Sequence, residues 1–185
     1  MKQVNKSTYL DYNATVPLLN EVKKSLMECL DFGPVNASSI HFYGRKGKNL
    51  IEVAKSNISR LINAKSESIV LTSSATEAIN LLFSNFNNII VSSIEHLAVL
   101  SSSKSNSFVP VDQNGVVDLD YLNTLLKKTT KSKKNILVSV MWVNNETGVI
   151  QPIEDVVKIS KKYGCLQSIS NILTISDPIR RGDKK

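Results

Sequence analysis

Apolar residues along this 185-residue chain recur first at helical spacing, and later in short unbroken runs that alternate with helical spacing. After Pro17, the positions Leu18, Val22, Leu26 and Cys29-Leu30 repeat at close to 3.6 residues and predict a helix, which Gly33-Pro34 breaks. A polar loop follows at Asn36-Ala37-Ser38-Ser39. A longer helix is then predicted from about Gly44 to Ile62, with Leu50, Ile51, Ala54, Ile58, Leu61 and Ile62 on one face.

Beyond that helix the pattern changes. Ser68 to Thr72 reads as a buried strand and Ala75 to Phe83 as a helix. Asn88 to Ser92 reads as a strand, His96 to about Ser103 as a short helix, and Phe108 to Val111 as a strand. Gln113-Asn114-Gly115 is a turn signal, Leu119 to Lys128 a helix, and Asn135 to Trp142 a long apolar strand. Pro152 opens a helix that runs through Ile153, Val156, Val157 and Ile159 to a stop at Gly164. Strands that are apolar throughout, separated by helices, need cover on both faces. They predict an α/β fold with a mostly parallel sheet and helices on both sides.

Composition narrows this picture only slightly. With 42% apolar and 6% aromatic residues, the core must be built from Ile, Leu and Val. Two cysteines, Cys29 and Cys165, give no disulfide framework and no CxxC metal spacing, and both read as small core residues. No export signal opens the sequence, and no apolar run reaches the ~18 residues of a membrane span. The chain is therefore expected to be soluble and cytoplasmic. The net charge of +7 raises nucleic acid as a partner. The lysines, however, are scattered, with local clusters at Lys127-Lys128, Lys131, Lys133-Lys134 and Lys161-Lys162 and no aromatic residues between them. They read as solvated surface rather than as a nucleic-acid interface.

In open α/β sheets, ligands lie beyond the carboxyl ends of the strands. Ser73–Glu77, Ser92–His96 and Trp142–Gly148 fall at such positions. Ser74-Ala75-Thr76-Glu77 matches the S-x-x-E capping box, in which Ser74 and Glu77 satisfy the helix end themselves. The same helix start could hold a phosphate through the N–H groups of Ala75 and Thr76 and the Thr76 hydroxyl. His96 could stack on a bound ring or move a proton, or could simply cap a helix. Asn144-Asn145-Glu146 follows the most apolar strand, so either a turn or a ligand must satisfy these amides.

Taken together and in order, these segments resemble the N-terminal half of the cysteine desulfurases, the NifS/IscS-like group of class V aminotransferases. Tyr9-Leu10-Asp11-Tyr12-Asn13-Ala14-Thr15 is similar to that family's opening Y-L-D-x-x-A-T. Asn36-Ala37-Ser38-Ser39-Ile40-His41-Phe42-Tyr43-Gly44 is close to N-P-S-S-x-H-x-x-G. Thr72 to Asn80 resembles T-S-G-A-T-E-x-x-N, Glu95-His96 matches E-H, and Val143 to Gly148 matches V-N-N-E-x-G.

The resemblance implies an incomplete fold-type I pyridoxal-phosphate-transferase large domain. Residues 1–15 would belong to the family's small domain, 16–165 to a truncated cofactor-binding large domain, and 166–185 to a divergent tail. It implies pyridoxal 5'-phosphate as cofactor, with Ala75 and Thr76 on the phosphate, His96 stacked on the pyridine ring and Asn145 on the ring hydroxyl. Ser74 departs from the pattern by replacing a glycine, which would crowd a phosphate. After Gly164 the likeness stops: Ser170 stands where the ring-nitrogen aspartate is expected. The S-x-H-K segment with its cofactor-anchoring lysine, the acceptor cysteine and the substrate-carboxylate arginine do not occur. The change of character after Gly164 fits a frameshift or premature stop. The expectation is a truncated desulfurase-like chain without activity. Other readings are a non-catalytic protein pairing as a homodimer or with a full-length desulfurase, a basic nucleic-acid binder, and an enzyme completed in trans.

Overall fold

The structure, a computed structural model, describes residues 8–10, 12, 15–102, 106–132 and 134–169. Expectations for Asp11, Asn13, Ala14, Ser103, Lys133, Ser170 and the 171–185 tail fall outside them. The chain divides into two compact units, one ending at Leu71 and one beginning at Thr72.

The first unit is helical. Helix α1 spans Asn20–Leu30 and α2 spans Phe42–Ile62, followed by a 3-10 turn at Ser66–Ser68. His41 caps α2: its Nδ1 accepts from the Gly44 N–H at 3.3 Å. Asn63 ends α2 in the left-handed region at φ 54°, a conformation that asparagine tolerates. Gly44 is required for a different reason, since a Cβ there would lie 2.0 Å from the Ser39 carbonyl oxygen. The loop Asn36–Ser39 thus packs onto bare backbone, and only glycine admits it.

No residue of α1 is buried, and Cys29 is exposed, which corrects its assignment to a core. In a unit whose helices bury only Gly44, Gly47 and Ser59, little cover is available for the apolar face of α1. The strand expected at Ser68–Thr72 is likewise absent. A strand exists only by pairing, and this segment pairs with none among the described residues; Val70 and Leu71 are 70% and 50% exposed.

The second unit is the α/β body. Helix α3 (Ala75–Phe83) leads to β1 (Asn88–Ser92), α4 (Leu97–Ser101) to β2 (Asn106–Val109), α5 (Leu119–Thr129) to β3 (Ile136–Ser139), and α6 (Ile153–Lys162) to β4 (Leu166–Ser168). The sheet is four-stranded and all-parallel, in the order β2-β1-β3-β4. The expected α/β class is therefore found. Strand β2 starts and ends earlier than its apolar run suggested, because Val111 leaves the ladder to bridge Val117.

Side chains of β1 and β3 alternate between two cores. Ile90, Ile136, Val138 and Val140 pack with Leu122, Leu126 and Val156 of α5 and α6. Ile89, Val91 and Leu137 pack on the opposite face with Ile79, Phe83 and Val99 of α3 and α4. Burial on both faces explains why β1 and β3 carry no polar alternation. Gly164, at φ 66°, ends α6 as its position after the last periodic residue predicted.

One polar atom breaks this pattern. Ser139 Oγ is fully buried and has no hydrogen-bond partner among the described residues. Such an orphan costs about 1–3 kcal/mol. Ser139→Ala should therefore raise the unfolding temperature by about 2–12 °C, readable by calorimetry; a drop would mean the hydroxyl has a partner. Gly44→Ala should cost the first unit roughly 1–3 kcal/mol. It should also open the 36–45 loop to limited proteolysis, while the amide protection of β1 and β3 stays unchanged.

Candidate functional site

The winding of the sheet locates the site. From β1 the chain crosses to β2 on one side and then returns over β1 to β3 on the other. The loops leaving the carboxyl ends of β1 and β3 consequently diverge, and a crevice opens where the direction of winding reverses. A cleft of about 370 Å³ lies there, lined by Ile94–Leu97, Leu100 and Asn144–Thr147.

Its two walls have different origins. The first comes from the short turn after β1. His96 has extended backbone (φ −60°, ψ 147°) and caps α4, with Nδ1 accepting from the Ala98 N–H at 3.1 Å. That bond assigns the ring proton of the neutral imidazole to Nε2. His96 is thus both a capping residue and a cleft residue.

The second wall is a hairpin after β3. Val143 and Ile150 bridge antiparallel, and Gln151 N–H donates to Trp142 O at 2.8 Å. Asn144 makes the turn: its Oδ1 accepts from the N–H groups of Glu146 and Thr147, both at 2.9 Å. Gly148, at φ 73°, closes it, a conformation that disfavours any side chain. Of the two ways to satisfy these amides, a turn therefore accounts for Asn144. Asn145 is carried at the tip, half-buried on the cleft wall. Gln151 is buried and fixes the hairpin base, accepting from Val117 N–H and donating to Gly115 O, each at 2.8 Å.

Ala75 and Thr76 do not line this cleft. They form the exposed first turn of α3. The connection from α3 to β1, residues 84–87, is short enough to force a chain reversal, so that first turn lies at the carboxyl end of the sheet. Helix α3 also packs against α4. Ser74 caps it, accepting from the Glu77 N–H at 3.2 Å. Glu77 does not complete the box as its spacing predicted. Its Oε2 instead accepts from the N–H and the hydroxyl of Ser73, each at 2.6 Å. The N–H groups of Ala75 and Thr76 meet no protein acceptor among the described residues. The structure thus brings His96 and Asn145 together and sets Ala75 and Thr76 on a neighbouring helix end.

Residues 8–170 match the family described as Aminotransferase class-V. The chain belongs to that family. Over 175 residues it is 38% identical to cysteine desulfurase IscS of Dictyoglomus turgidum, an alignment that covers 86% of this chain and 43% of the relative. It is 37% identical to cysteine desulfurase IscS 1 of Archaeoglobus fulgidus over 82% of this chain and 42% of that one. Among solved structures, the NifS-like protein from Rickettsia africae ESF-5 superposes with a TM-score of 0.78 at 36% identity, covering 86% of this chain and 46% of that chain. The chain thus spans less than half the length of the relatives it matches.

Of the two buried residues on these walls, Glu95, 5% exposed, had no role assigned from sequence, and Asn144, 7% exposed, was expected only to need a turn or a ligand for its amide. The available signal was a charged residue directly after a buried strand and turn, a position where burial demands a partner.

The hydrogen bonds from Ser73 hold the Glu77 carboxyl below the usual glutamate value of 4.5. A depressed carboxyl stabilises the fold above its unfolded pKa, and that stabilisation is lost as pH falls through the folded one. The Ser73 amide resonance should therefore shift with a midpoint below pH 4.5, and Glu77→Gln should abolish the transition. A midpoint above 4.5 would contradict the bracket.

Proposed function

We propose that the second unit is the cofactor-binding half of a pyridoxal-phosphate-dependent cysteine desulfurase. The supporting observation is the pairing of His96 and Asn145 across one cleft at the point where the sheet's winding reverses. The donor set suits the cofactor in two parts. An imidazole and a carboxamide facing a cleft of about 370 Å³ suit a planar ring bearing a hydroxyl. The first turn of α3, with the N–H groups of Ala75 and Thr76 and a threonine hydroxyl, suits a phosphate. For the ring nitrogen the corresponding position is Ser170, outside the described residues.

Each group then has a task. The first turn of α3 binds the phosphate dianion, while Ser74 keeps the helix end capped. His96 covers one ring face and holds its proton on Nε2. Asn145 orients the ring through the hydroxyl. The bound cofactor supplies the electron sink that sulfur removal from L-cysteine requires.

The 185 residues contain no S-x-H-K lysine, so the chain on its own is expected to bind the cofactor without releasing sulfur. A second reading, a non-catalytic chain that pairs with a full-length desulfurase or with its own copy, draws on the exposed apolar residues Val22, Leu26, Met27 and Leu30 of α1. Pull-down with a full-length desulfurase tests it, and loss of capture on Leu26→Lys would mark α1 as the contact.

Pyridoxine 5'-phosphate has the ring, hydroxyl and phosphate but no aldehyde, so it cannot react with surface lysines. It should quench the single tryptophan, Trp142, saturably. Thr76→Ala and His96→Ala should each weaken binding about tenfold, equivalent to roughly 1.4 kcal/mol. Sulfide release from L-cysteine by the purified chain would overturn the inactivity; absence of binding would overturn the cofactor role.

A further inference from the structure

The two residues that face each other across the cleft are each the chain neighbour of a buried residue, and those two buried residues bond across the same gap. Glu95, beside His96, accepts through Oε1 from the Met141 N–H, 46 residues away. Asn144, beside Asn145, donates through Nδ2 to the Ile94 carbonyl oxygen at 3.1 Å, 50 residues away. Each side chain thus grips the backbone of the opposite loop, and each is more than nine-tenths buried. The sheet does not supply these links, because the β1–β3 ladder ends at the pair Val91 and Ser139. Beyond it the loops diverge, and a gap of that kind closes or widens unless something spans it.

The residue types suit the task. Asn144 accepts two backbone N–H groups on Oδ1 while Nδ2 donates, a combination that aspartate cannot reproduce because it has no donor. Toward Met141, Glu95 acts as an acceptor, a capacity that glutamine also has.

We propose that Glu95 and Asn144 form a reciprocal latch whose task is to hold His96 and Asn145 at a fixed separation, making them positioning residues for a planar ring bound between them. The latch deepens the pyridoxal reading and rests on it for the identity of the ring. Its structural half stands independently: breaking either bond moves the cleft residue on the opposite loop.

The test uses Glu95→Gln, Glu95→Ala and Asn144→Asp in the 185-residue chain, with two readouts. The first is the NMR signature of the free chain, taken from the ring nitrogens of His96 and the amides of Asn145. The second is the affinity for pyridoxine 5'-phosphate. Glu95→Ala should displace the Asn145 resonances, and Asn144→Asp should displace those of His96, each across the gap. Both should weaken binding about tenfold or more. Glu95→Gln should keep both signatures and stay within about threefold in affinity. If Glu95→Ala fails to fold, Asn144→Asp, which keeps the volume, carries the test together with the Gln variant.

Should wild type fail to bind the probe, the pyridoxal reading falls while the cross-gap resonances still decide the latch. Resonances that move only on the mutated loop, or a Gln variant that behaves like Ala, would overturn it.

Discussion

The parallel pairing of β1 with β3, residue by residue from Asn88↔Ile136 to Val91↔Ser139, is the constraint on which the second unit depends. The two strands come from distant parts of the sequence, and the winding reverses between them. Because both are buried on both faces, a slip of one residue would exchange the two cores and present Leu137 to α5 and α6 in place of Val138. The register is therefore strongly set, and with it the points at which the two loops leave the sheet.

What those loops carry follows from that geometry. Met141 lies two residues beyond the ladder on one side and Glu95 three beyond β1 on the other, which brings a buried carboxylate within reach of a backbone N–H. His96 is held by its bond to Ala98, and Asn145 by the turn that Asn144 builds. His96 is thus oriented by its own cap on α4, whereas Asn145 is carried by a turn that its neighbour Asn144 builds. The first turn of α3 belongs to the same end of the sheet but is set by a different device, the Ser74 cap and the Ser73–Glu77 bracket.

Much of this was legible in the sequence where local pattern and global fold agree. Ala75–Phe83 and Asn88–Ser92 form the elements their spacing predicted, and Gly164 ends the helix it was expected to end. The failures lie where the outcome depends on a partner. Ile69–Leu71 has strand composition, but composition cannot supply a neighbouring strand, and the segment stays exposed. Cys29 sits on an amphipathic helix whose apolar face is not buried, so its periodicity was right and its burial wrong. In the site, the chemistry-bearing residues were found by type and motif. The cross-gap bonds of Glu95 and Asn144 were not legible, because they join residues 46 and 50 positions apart and no short pattern encodes that.

In the proposed binding mode, one crevice, created by the reversal between β1 and β3, receives a ring against His96 and Asn145 while the first turn of α3 takes its phosphate. A crystal structure of the chain with pyridoxine 5'-phosphate tests this most directly. The ring is expected in contact with both side chains, its hydroxyl on Asn145, with phosphate oxygens on the N–H groups of Ala75 and Thr76. A ligand seated elsewhere, or a phosphate held by surface lysines with the α3 turn untouched, would contradict it.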